Sequence, residues 1–146
     1  MGPTGQARSE LAALLEPVWP GRVRSYRPTQ PRPTAGVYVG EVTAGWATND
    51  VGGLVWTAAF AVQLVGDGAP HAAGAMLDDL LDQTYRAVAR SERFYPDSVA
   101  WSPFGADAAV ELPGYLFTVQ TALDVRTWCA TDEAEPVTLP PQPVGV

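Results

Sequence analysis

The residues that could carry chemistry are few. His71 is the only histidine and Cys129 the only cysteine. A nucleophile needs a base beside it and a group that orients that base. Any such relay would have to recruit His71, which falls in the first turn of an expected helix with no partner placed next to it. One cysteine excludes a disulfide within the chain and a multi-cysteine zinc site within one copy. Asp78, Asp79 and Asp82 spell Asp-Asp-x-x-Asp, the spacing by which carboxylates on one helical face bridge magnesium to a diphosphate in isoprenoid synthases. Those enzymes are helical bundles far longer than this chain. Arg86 also follows Asp82 by four residues, the orientation of a solvated ion pair, so the run reads as an exposed helix face. Gly52-Gly53 and Gly66-Asp67-Gly68 lack the spacing of a phosphate-binding loop and read as turns. Cys129 falls on the apolar face of an expected strand, where a thiol is core. The expectation is a chain that is no enzyme and has no catalytic residue, metal or cofactor.

The pattern that remains is one of charge. The net charge is −7, and all nine basic residues are arginines. Arg22, Arg24, Arg27 and Arg32 fall close together, whereas everything after Arg126 is acidic or neutral. An acidic chain with one basic segment is a poor ligand for nucleic acid and a good candidate for contacts between copies, because each copy then carries a positive element and a negative surface. Pro28, Pro31 and Pro33 pre-extend the same segment, which lowers the entropy lost on docking, and guanidinium groups suit forked contacts with carboxylates. Trp46, Trp101 and Phe104 fall in expected loops, where a large aromatic is either folded onto the core or buried in a partner. The candidate interface is therefore Arg22, Arg24, Arg27, Arg32, Trp46, Trp101 and Phe104.

The elements that must position these residues follow from periodicity. Ser9 to Val18 carries Leu11, Leu14, Leu15 and Val18 at helical spacing, with Ser9 as N-cap and Pro20 beyond the end. The proline arm enters a strand at Val37 to Val42. Gly45 through Gly53 reads as a hairpin loop with Trp46 at one end. From Leu54 to Val65 every even position is apolar, which predicts a strand with one core face and a mixed second face that is partly exposed or covered by a neighbouring subunit. Pro70 suits the first turn of a helix running to about Arg90, with Leu77, Leu80, Leu81, Thr84 and Val88 as its core stripe. Short extended pieces are expected near Ser98 to Ser102 and Ala108 to Leu112, and a last strand from Tyr115 to Cys129. The fold class is thus α+β, a mostly antiparallel sheet with two helices on one face. Residues 1–130 form one domain, and 131–146 an acidic, proline-rich tail that buries little. Neither a membrane span nor a secretion signal is expected, and the single cysteine suits a cytosolic compartment.

This order of elements resembles the tail terminator and tail-completion proteins of long-tailed bacteriophages. The residues that carry the likeness are Leu11 to Trp19, Arg22 to Pro33, Trp56 to Gly68, Met76 to Val88 and Leu112 to Trp128. The resemblance implies a structural virion subunit assembled in the host cytoplasm. It implies a homo-hexameric ring that caps the tail tube, with tail tube protein and head–tail connector proteins as partners and neither membrane nor sequence-specific nucleic acid among them. The alternative it leaves open is a head–tail adaptor of the neck or another minor tail protein.

Overall fold

The structure, a computed structural model, describes residues 2–25, 35–48, 54–67, 70–103, 112–125 and 128. It contains helices α1 (Pro3–Leu15) and α2 (Pro70–Arg90) and strands β1 (Val23–Arg24), β2 (Gly36–Thr48), β3 (Leu54–Val65), β4 (Phe94–Trp101) and β5 (Gly114–Leu123). The strands form one sheet in the order β1-β2-β3-β5-β4. Among the described residues β1 and β2 pair in parallel, and β2 with β3, β3 with β5 and β5 with β4 pair antiparallel. The fold is α+β. Because β5 lies between β3 and β4 and opposes both, β4 runs parallel to β3, and α2 makes the crossover between them.

One core fills the space between helices and sheet. Ala7, Leu11 and Leu15 of α1 and Ala73, Leu77, Leu80 and Val88 of α2 meet Val37, Val39, Phe60, Val62, Leu64, Phe117 and Val119 of the strands. The even positions of β3 supply this face, as their alternation predicts. Thr84, buried within the expected α2 stripe, donates its hydroxyl to the carbonyl of Leu80 at 2.7 Å, so its burial leaves no polar group unpaired. The second face of β3 is half-buried at Thr57, Ala59, Ala61 and Gln63, and beside it Tyr38 and Val65 pack with Leu112 in a small separate cluster.

Several boundaries differ from the sequence expectation. The first helix begins at Pro3, with Gly2 rather than Ser9 at the N-cap, because a proline at the first helical position is already set for helical φ. It also ends at Leu15, ahead of Pro17, and Gly21 turns the chain with φ 76°, its N–H bonded to Glu16 Oε1 at 2.7 Å. Strand β2 runs on through Gly45 to Thr48, so Trp46 belongs to a strand and not to a loop; it pairs with Trp56. Trp101 likewise ends strand β4, which starts at Phe94, ahead of the expected Ser98. The last strand stops at Leu123 rather than Cys129, and Trp128 N–H reaches back to the Asp124 carbonyl at 3.4 Å. The arm from Pro28 to Pro33, the piece from Ala108 up to Glu111, Cys129 and the tail 131–146 lie outside the described residues. Among the described residues no helix is long and apolar enough to cross a membrane.

Candidate functional site

The two edges of the sheet carry the candidate residues. At the β1 edge Arg22 and Arg24 are exposed and bond only to nearby backbone, Arg22 to the Ala35 carbonyl at 3.3 Å and Arg24 to the Gly21 carbonyl at 3.4 Å. Among the described residues no carboxylate pairs with either charge. The backbone beneath them is fixed more firmly. Val37 N–H donates to the Arg22 carbonyl at 2.9 Å, and a side chain at Gly36 would stand 2.6 Å from that same oxygen, so only glycine lets β1 lie this close to β2.

Arg8 anchors this edge from below. It is 8% exposed, and its guanidinium donates to the carbonyls of Ser25 at 2.8 Å, Gly40 at 2.6 Å and Val39. Its carbon also stands 5.4 Å from the centre of the Phe60 ring. The β2 register shifts between Val39 and Val42, and this bulge sets two successive carbonyls within reach of one side chain. Arg8 thereby ties α1, the bulge and the last described residue before the arm into one unit. Sequence reading missed it because the helix was expected to begin at Ser9. Arg8 precedes Leu11 by three residues and Leu15 by seven, which is the helical stripe and the signal that finds it.

The β4 edge is aromatic and acidic. Trp101 is 47%, Val99 43% and Tyr85 53% exposed. The Trp101 ring meets Tyr115 edge-on at 5.1 Å, and Tyr85 on α2 meets Phe117 edge-on at 6.4 Å. Tyr115 donates its hydroxyl to Asp78 Oδ1 at 2.8 Å. That bond holds the Tyr115 pKa above its usual value; desolvation raises it further, as do the negative charges of Asp78 and Asp82. The Asp-Asp-x-x-Asp run is exposed on α2 as expected, but Asp82 and Arg86 form no ion pair. Among the described residues no three His, Cys, Asp or Glu side chains come together in a way that could hold a metal.

The register sets the two edges level. Val23 pairs with Val37, Val37 with Leu64, Leu64 with Tyr115 and Tyr115 with Trp101, one row across all five strands. At ~4.8 Å per strand the row is about 19 Å long. The next row runs Arg24, Tyr38, Gln63, Leu116, Ala100. The structure thus places Arg24 one row from Trp101, and Arg22 next to the Val23 that ends Trp101's row, at the opposite edge. Trp46 is level with Trp56, eight residues along β3 from Leu64, or about 27 Å away, so it does not join them. Nothing is described of its side chain, and Arg27, Arg32 and Phe104 lie outside the described residues. Sequence reading also missed Tyr85, Val99 and Tyr115, whose shared flank depends on the α2 crossover. No protein-family model matches the chain, and comparison with curated proteins finds no significant similarity.

Proposed function

We propose that the chain is a structural subunit of a long-tailed bacteriophage virion, a tail terminator that forms a ring on the tail tube and joins it to the head connector. The observation that carries this reading is the pair of unlike edges. A sheet with exposed arginines along one edge and, along the other, an exposed aromatic flanked by carboxylates of α2 has two unlike surfaces for neighbours, as a head-to-tail ring requires and an isolated enzyme does not. The resemblance implies a helix, an arm, a first strand, a long apolar strand, a helix and a final hairpin, with the helices on one face; the described elements follow that order, with the short strand β1 added where the arm was expected to begin.

Tail length tests it. Tube protein assembled without this chain should give tubes of variable, abnormal length, or tails that fail to join heads, as seen by electron microscopy. Adding the purified chain should restore both properties. Tails of normal length that join heads without it reject the reading.

A further inference from the structure

We propose that the β4 edge, at Ala100 and Trp101, receives the β1 edge of a second copy, Val23 and Arg24, as a sixth strand that continues the sheet from one copy into the next. The interface deepens the proposed ring by naming its two surfaces. It rests on that reading only in supposing that copies meet head to tail.

Four features of the sheet favour this occupant. The first is direction. β1 runs with β2, β2 against β3, β3 against β5 and β5 against β4, so β1 and β4 run in opposite senses. Copies set side by side in the same orientation therefore present β1 antiparallel to β4, the commoner kind of pairing. The second is register: Val23 and Trp101 end one row, and Arg24 and Ala100 the next. Continuing the rows puts Val23 of one copy beside Trp101 of its neighbour on the helix side, an apolar pair of the kind that stabilises sheets.

The third is length. Pro96, Asp97 and the register shift between Pro96 and Ser98 interrupt the first half of β4. A proline, a charge and a bulge are the devices that keep an edge strand from pairing. They leave the short stretch Ser98 to Trp101 for a partner, and β1, two residues long, is a partner of that size. The fourth is charge. Arg22 and Arg24 stand at one edge, and Asp78 and Asp82 flank the other beside Tyr115, while Arg86 lies one turn further along α2. Arg24 leaves the sheet on the face opposite the helices, so the arginines and carboxylates form no forked contact; their unlike charges favour the meeting of unlike edges over like ones, an effect that salt weakens.

Paired cysteines test the interface in the full chain with Cys129→Ser. Neighbouring positions on adjacent strands stand ~4.5–5.5 Å apart between Cα atoms, within the ~4.4–6.8 Å that a disulfide bridges. The double variant R24C/A100C should give, on mild oxidation, a ladder of dimers, trimers and larger species on a non-reducing gel, because each copy uses both edges. Arg24→Cys or Ala100→Cys alone should give none, and a mixture of the two single variants should stop at a dimer. In the uncross-linked chain Trp101→Glu should lower the apparent association constant at least tenfold by sedimentation, with unchanged circular dichroism. A dimer from Ala100→Cys alone would mean that like edges meet, and overturns the proposal. So does a sedimenting assembly that yields no ladder, although the tail-length reading would then still stand. A chain that stays monomeric at every concentration tested also overturns it.

Discussion

A buried arginine on the stripe of a helix is a conflict between local pattern and tertiary structure, and Arg8 resolves it through the β2 bulge. The carbonyls of Val39 and Gly40 would point to opposite sides in a regular strand; the irregularity brings both to the guanidinium, with Ser25 as a third acceptor. Charge-assisted bonds of this kind each contribute ~1.5–3 kcal/mol, and removing the donor also leaves buried carbonyls without it. Arg8→Met keeps the helix and much of the volume. It should lower unfolding stability by roughly 3 kcal/mol, seen as a lower urea midpoint at unchanged slope. Arg8→Lys keeps the charge but lacks the planar guanidinium that lies over the Phe60 ring, and should recover only part of that loss. A midpoint for Arg8→Met equal to that of the native chain would show that the bulge holds without its arginine.

Between elements, the contact from β5 to α2 through Tyr115 and Asp78 gives a pH-dependent link. The folded-state pKa of Tyr115 lies above its unfolded value, first through the bond to Asp78. A group with a raised folded pKa contributes stability that is fully present below the unfolded value, near 10, and is lost as pH rises through the folded one. The native chain should therefore be more stable than Tyr115→Phe at pH 8, and the difference should shrink as pH climbs above ~10. A constant difference in urea midpoint across that range would show that the hydroxyl does not couple to folding. The same elements show how far local pattern reaches. β3 and the core stripe of α2 are legible because their periodicity is long and uninterrupted. β4 is not, because Pro96 and Asp97 disguise a strand that tolerates them only as an edge, a property of the sheet order. The alternation after Leu123 continues in the sequence through Val125 and Thr127, yet β3 pairs with β5 no further than Trp56 with Leu123, and β4 joins only at Thr121. Gly45 suggested a loop, and pairing with Thr57 overrode it. Of the candidate site, the arginine edge was legible as charge clustering, whereas the acidic and aromatic edge exists only once the crossover brings α2 beside β5 and β4.

For the whole molecule, the decisive quantity is how much of its assembly rests on charge. Replacing Arg22, Arg24, Arg27 and Arg32 together by Ser should leave the monomer folded, because Arg22 and Arg24 are exposed and touch only backbone, and surface substitutions of this type fall within about ±0.5 kcal/mol each. Assembly should respond differently. Each copy would lose its positive edge, and around a closed ring that loss recurs at every interface, so small local terms multiply into a large change in the stability of the whole. The native assembly should move the same way when salt rises from ~0.1 M to ~1 M, which shortens the screening length from ~10 Å to ~3 Å. Strand pairing and the contact of Val23 with Trp101 do not depend on ionic strength, so salt should weaken the assembly less than the four substitutions combined with Trp101→Glu. Sedimentation of the native chain, the four-arginine variant and the five-residue variant at both salt concentrations separates these contributions. If the four-arginine variant assembles as tightly as the native chain at low salt, the arginines are solvated linker residues, and any ring is held by the strand edges and their aromatic flank alone.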